Sequence, residues 1–221
     1  MPTIKSPNNY NEMLEGLNKG TFLTTFILFI VLRYFETIPK IIIPESLIPP
    51  LKDYKELIDW VVSFGAIPLA AALLAAFLSS FFEIHNKISK LLGIRYLWDK
   101  FFIIKPMLKS ANIKKQLNRA ETKLAMNKLY YPEAKKIDQH YVQLFWRYAM
   151  FFWIFFEHIL VVLTTACALE LIYKDKSFTG LWLYLLALSL VTLAQWYFVT
   201  VKKSKDQANQ IPVKAIKKYF K

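Results

Sequence analysis

Residues 60–82 read WVVSFGAIPLAAALLAAFLSSFF, and residues 177–201 read SFTGLWLYLLALSLVTLAQWYFVTV. Neither stretch contains a charged residue, and at 23 and 25 residues both exceed the roughly 20 that cross a bilayer core as a helix. A third window, Tyr148–Leu169, is interrupted only by Glu157 and His158. A fourth begins near Leu17 and reaches Phe35, with Arg33 near its end, where a long basic side chain can snorkel toward headgroups. The expected fold class is therefore all-α: an integral membrane protein with four transmembrane helices.

Composition agrees. Of the 221 residues 55% are hydrophobic and 16% aromatic, more apolar surface than one soluble domain of this size can hide. The 29 Lys and Arg face only 16 Asp and Glu, so the basic residues must be segregated from the apolar ones. With both termini cytosolic, 23 of the basic residues fall on the inner side and six on the outer, as the positive-inside rule requires. Composition shifts divide the chain into an N-terminus with the first span (1–36), an outer loop with the second span (37–82), a basic helical cytosolic region (83–147), the third and fourth spans (148–201) and a lysine-rich cytosolic tail (202–221). The outer loop carries Pro39, Pro44, Pro49 and Pro50 around Ile41-Ile42-Ile43, which rules out a continuous helix there.

Several chemistries are excluded. Five scattered glycines cannot build a P-loop or a dinucleotide-binding turn, and a single cysteine, Cys167, forms neither an internal disulfide nor a CxxC site. The three histidines show no metal-ligand spacing and no nucleophile elbow is present. The expectation is a protein that is not an enzyme and has no cofactor and no metal.

Glu157 is the most informative polar residue. Ten residues beyond Arg147, it lies about 15 Å along a helix, the midplane of a core about 30 Å thick. An ionised acid there must face the bundle interior. Thr164 follows on the same face, Gln195 on the fourth span and Arg33 on the first are within possible reach, and His158 points about 100° away. These five residues form either a structural polar cluster, with Glu157 bonded to Gln195, or the lining of a hydrated pathway. On the second span Ala72, Ala76 and Ser80 align with Ala75 and Ser79 beside them. This small-xxx-small spacing lets helices approach closely, within one subunit or across the interface of a homo-oligomer.

In the basic region, Ile84–Leu92 is amphipathic and stops at Gly93. Residues 96–104 mix Tyr, Trp and Phe with Lys100, as in a segment lying along headgroups. Ile113, Leu117, Ala120, Leu124 and Asn127 follow a short heptad-like stripe, and Pro132 opens a helix that continues into the third span. Lys87, Lys90, Arg95, Lys114 and Lys115 meet either anionic lipid or an anionic ligand such as a nucleotide messenger, with Tyr96, Trp98, Tyr130 and Tyr131 available for stacking. A cytosolic protein partner is the other candidate for this surface.

The stretch His85-Asn86-Lys87-Ile88-Ser89-Lys90-Leu91-Leu92-Gly93-Ile94-Arg95, within this layout of four spans, basic loop and lysine-rich tail, resembles the small four-helix membrane components of bacterial anti-phage defence systems. These include the transmembrane effectors of cyclic-oligonucleotide signalling and the Kiwa-type membrane subunit. The resemblance implies an oligomeric inner-membrane effector that alters permeability when its cytosolic region is triggered. The alternative is a non-conducting sensor or scaffold that regulates a soluble partner such as a nuclease. Reporters fused beside Lys115 and Lys221 are expected to register the cytosolic side, and the protein to need detergent for extraction; reporters exposed outside the cell, or a freely soluble chain, overturn the topology.

Overall fold

A computed structural model describes residues 6–35, 37, 65–174 and 176–221. The proline-rich loop and the first part of the second apolar window, including Trp60, lie outside the described residues. No strand occurs among the described residues. Helix α1 is Tyr10–Tyr34, α2 Ile67–Phe82 and α3 Ile84–Leu91. Helix α4, Ile94–Trp98, runs through a π turn, Asp99–Ile104, into α5, Lys105–Ser110. Helix α6, Arg119–Ala125, runs through a second π turn, Met126–Tyr130, into α7, Tyr131–Ala134. Helix α8 is Gln139–Ile172, and α9, Thr179–Gln195, passes a third π turn, Trp196–Thr200, into α10, Val201–Asn209; α11 is Val213–Tyr219.

Among the described residues three continuous helices are long and apolar enough to cross a membrane: Tyr10–Tyr34, Gln139–Ile172 and Thr179–Asn209. A fourth results if α2 and α3 count as one broken span. The break is at Glu83, whose left-handed backbone (φ 45°) ends α2. Large apolar side chains remain exposed along these helices, including Leu23, Ile27, Phe77, Leu186, Leu190 and Phe198. Continuous apolar surface of this kind is suited to lipid and unfavourable in water.

The chain divides into two compact units. One comprises residues 18–83, where the Ser79 hydroxyl of α2 donates to Asn18 Oδ1 of α1 at 3.1 Å. The other comprises residues 1–17 with 84–221. Its core joins the basic region, the first half of α8 and the tail: Trp98, Ile103, Ile104, Met107, Phe145 and Phe152 pack with Ala208, Ile211 and Ile216. Trp98 meets Phe145, Phe152 and Trp196 edge to face, with ring centroids 5.6–6.4 Å apart. Such pairs add about 0.5–1.5 kcal/mol each beyond the area they bury.

Several local expectations are corrected. Residues 96–104 do not lie flat along a surface. Leu97 and Phe101 face outward, whereas Trp98, Ile103 and Ile104 are the core of the second unit. The stripe from Ile113 to Asn127 is not one helix. Asn118 caps α6, accepting from the Glu121 N–H at 2.9 Å while the Glu121 carboxylate accepts from the Asn118 N–H at 2.9 Å. This capping box starts the helix at Arg119 and turns Thr122, Ala125, Met126 and Leu129 inward in place of Ala120, Leu124 and Asn127. The helix at Pro132 ends after Ala134, and α8 begins separately at Asp138, whose carboxylate accepts from the His140 N–H at 2.9 Å. Gly93 does stop α3, with φ 69°.

Two of these π turns have a cause in the sequence. Each precedes a proline, Pro106 or Pro132, which has no N–H to give and whose ring crowds the carbonyl four residues back; widening the turn relieves both. Gly16 has a packing role. A Cβ there would lie 2.3 Å from Met150 Sδ, so its absence lets the first turns of α1 close on α8 around Met13, Leu17 and Ile154. The tail belongs to the fold. Ile216→Ala is expected to cost about 2–4 kcal/mol, read as a lower melting midpoint of the detergent-solubilised chain, whereas Lys217→Ala stays within about 0.5 kcal/mol. Equal effects from the two variants overturn the docking of α11.

Candidate functional site

Helix α3 presents an unusual buried face. His85 and Ser89, four residues apart and so on one side, are each 2% exposed, while Lys87, Lys90 and Leu91 face outward. The face is turned toward α8. There His85 Nδ1 and Glu157 Oε1 are hydrogen-bonded at 3.0 Å, and the imidazole lies against the Trp153 ring, centroids 5.6 Å apart. Glu157 is itself 3% exposed. The acid in the middle of the apolar helix is thus met by a residue from the basic region.

Beside this pair is a cavity of about 310 Å³. Its walls come from the start of α1 (Asn9, Tyr10, Met13), from α3 and α4 (His85, Ser89, Arg95, Trp98), from Tyr130 and Tyr131 before and within α7, and from α8 (Phe145, Trp146, Trp153). The start of α1 is fixed there by its own cap, with Asn9 Oδ1 accepting from the Glu12 N–H at 3.0 Å, and by Gln143 of α8, which donates to Asn8 Oδ1 at 2.8 Å. Behind the cavity the aromatic polar groups are satisfied: Trp98 Nε1–H donates to Ser204 Oγ at 3.0 Å and the Tyr130 hydroxyl to Gln207 Oε1 at 2.6 Å. Two wall atoms are not. His85 Nε2 and Ser89 Oγ are buried without a hydrogen-bond partner among the described residues.

Arg95 lies on the wall, hydrogen-bonded to Tyr131, with Asp99 near enough to influence both. Burial raises the Asp99 carboxyl from 3.8 to about 6, with Arg95 pulling it down. Burial also raises the phenols of Tyr130 and Tyr131, and Asp99 adds to the rise in both. Among the described residues no three His, Cys, Asp or Glu side chains come together as metal ligands do.

The residues singled out from the sequence fall in separate places. Gln195 does not reach Glu157: its Nε2 donates to the Tyr148 carbonyl at 3.2 Å and to Thr200 Oγ1 at 2.9 Å, bracing the third π turn. His158 Nε2 and the Tyr184 hydroxyl of α9 are 2.8 Å apart. Thr164 is exposed and bonds back to the Leu160 and Val161 carbonyls of its own helix. In the other unit, Arg33 is 3% exposed, so it does not extend outward. Ala72 and Ser79 are buried, Ala75 and Ala76 half-buried and Ser80 exposed. Lys87, Lys90, Arg95, Lys114 and Lys115 are all exposed, and Lys115 lies 3.8 Å from Glu121; of that set Arg95 also lines the cavity. His85 and Ser89 were not anticipated as site residues. The available signal was a histidine directly after an apolar window, with a serine one helical turn on, inside an amphipathic helix.

Asp99 gives the site a pH signature. Its folded-state value lies above the ordinary 3.8, so between about pH 4 and 6 the folded protein keeps a proton that the unfolded chain has shed, and stability falls as pH rises through that window. Asp99→Asn is expected to raise the melting midpoint at about pH 8 and leave it nearly unchanged near pH 3, where Asp99 is largely protonated in the folded and the unfolded chain alike. A variant with the same effect at both pH values overturns the assignment.

The YmfE protein family matches residues 9–221. A relative from Escherichia coli strain K12, the uncharacterized protein YmfE, is 40% identical over 225 positions, covering 98% of this chain and 96% of its own length. No solved structure matches the chain. The family description and the relative's name assign no activity, and neither refers to anti-phage defence. The match spans α1 to the C-terminus and includes every residue of the His85–Glu157 site: this chain belongs to the YmfE protein family.

Proposed function

We propose that this chain is a multi-pass sensor of the bacterial inner membrane, in which events in a cytosolic helical cap are passed to the membrane helices through the His85–Glu157 pair. The topology rests on the apolar helices and on the concentration of lysine and arginine between Glu83 and Arg147 and in the tail. The mechanism rests on one observation: the intramembrane acid is bonded to the first helix of the cap at 3.0 Å. Losing one partner of a buried hydrogen bond costs about 1–3 kcal/mol, and more where the group left behind is charged, because that group has lost its water as well. The cap and α8 are therefore held in one arrangement, and anything that moves α3 must break the pair or carry α8 with it.

The competing proposal is the oligomeric effector of anti-phage defence that permeabilises the membrane. It calls for polar side chains converging on a path. Glu157, His158 and Gln195 instead each have a separate partner, and Thr164 bonds to its own helix, which favours the non-conducting sensor.

Two measurements test this. Cells expressing the wild-type chain, His85→Ala or Glu157→Gln are expected to keep a normal membrane potential. Depolarisation by the wild type, or by either variant, favours the effector. In the purified protein His85→Leu and Glu157→Leu each lower the melting midpoint strongly, while the double variant recovers most of the loss. Simple additivity of the two losses overturns the role of the pair.

A further inference from the structure

We propose that the cavity beside the His85–Glu157 pair is a binding site for a small planar aromatic molecule of one or two fused rings, carrying a hydroxyl at one end and an anionic group at the other. The inference deepens the sensor reading and relies on it only for the consequence of binding; occupancy is measured on its own.

Size comes first. About 310 Å³ is at the lower end of ligand pockets, enough for a compact ring system and too small to enclose a cyclic oligonucleotide. Shape and chemistry follow from the walls. Trp146, Trp153, Trp98, Tyr10 and Tyr131 surround the space, an aromatic density that suits a flat π-face. The hydroxyl requirement comes from His85. Its Nδ1 is engaged by Glu157 at 3.0 Å, and its Nε2 is buried with no hydrogen-bond partner among the described residues. Ser89 Oγ, one turn along the same face, is in the same condition. Two orphaned polar atoms on one helix face are costly, since each forfeits the hydrogen bond it had to water in the unfolded chain. A ligand hydroxyl, which both donates and accepts, can meet either form of the imidazole nitrogen and the serine beside it.

The anionic end follows from Arg95, an exposed residue among those lining the cavity and hydrogen-bonded to Tyr131, with Lys135, also exposed, beside the same space. The one carboxyl among the lining residues, Asp99, is pushed up by burial to about 6, so its repulsion of a negative ligand fades below that pH. A ligand so placed contacts α3 directly at the atoms that carry the pair to α8. Occupancy would fix the imidazole's second nitrogen and thereby bias its bond to Glu157.

The test uses the full chain in nanodiscs of Escherichia coli polar lipid, with 6-hydroxy-2-naphthoate as the probe and empty nanodiscs as the control. Saturable one-to-one binding is expected, followed by energy transfer from tryptophan to the probe. Two changes on the ligand side require no protein variant. Removing the hydroxyl (2-naphthoate) is expected to weaken binding about tenfold, the loss of one buried hydrogen bond, and esterifying the carboxylate to weaken it about two- to fivefold, since Arg95 is exposed. On the protein side Ser89→Ala weakens binding several-fold and Ser89→Leu, which fills the space, abolishes it. No saturable signal above empty nanodiscs, or undiminished binding to the well-folded Ser89→Leu protein, overturns the site and leaves the sensor reading standing. Binding that leaves the His85–Glu157 interaction unchanged in the double-variant cycle supports the site and counts against the sensor reading.

Discussion

A carboxylate placed halfway along a 34-residue apolar helix must be paired or protonated, and much of the larger unit is arranged so that Glu157 is paired. The partner has to come from outside the helix, reach deep along it and bring little water. Helix α3 does this with eight residues, turning His85 inward and its lysines outward. Trp153 flanks the imidazole and shields the pair, and Phe152, one residue away, anchors the same stretch of α8 into the core built around Trp98. Removing one partner would not merely delete a contact. It would strand the other polar group in a place from which packing has excluded its solvent.

The cavity is the complement of that arrangement. Helices α1, α3, α4, α7 and α8 approach from different directions, and rigid aromatic side chains bridge the gaps without filling them. Some polar groups around it are satisfied, as in Trp98 with Ser204 and Tyr130 with Gln207. Of the buried polar atoms that lack a partner among the described residues, His85 Nε2 and Ser89 Oγ belong to residues that line this space, whereas those of Thr25, His158, Gln195 and Trp196 do not.

The apolar helices were legible in the sequence because their signal is local: twenty uncharged residues in a row mean one thing in almost any context. The importance of Glu157 was legible for the same reason. Its partner was not. Gln195, on a neighbouring apolar helix, was the expectation by depth along the helix, but depth along two helices does not say which faces meet, and Gln195 is committed to Tyr148 and Thr200. His85 was read as part of a surface helix, since one histidine among lysines carries no pattern that distinguishes a buried ligand from a solvated one. The aromatic run from Tyr96 to Phe102 was misplaced because an interfacial segment and a half-buried core helix need the same composition. What separates them, the docking of Ala208, Ile211 and Ile216 from a tail more than a hundred residues away, is a tertiary fact.

The third π turn, Trp196–Thr200, has no proline to explain it, and it is braced by Gln195 and Thr200 against the Tyr148 carbonyl. Each residue of an α-helix advances the side-chain direction by about 100°, so a turn with one residue too many resets the phase of everything beyond it. Upstream, α9 shows apolar side chains such as Leu190 and Leu193 to its surroundings. Downstream, the same rod must aim Ser204, Gln207 and Ala208 at the core. The bulge is what allows one uninterrupted helix to serve two different azimuths. Ironing it out by deleting a single residue would leave both halves helical and the downstream contacts pointing the wrong way.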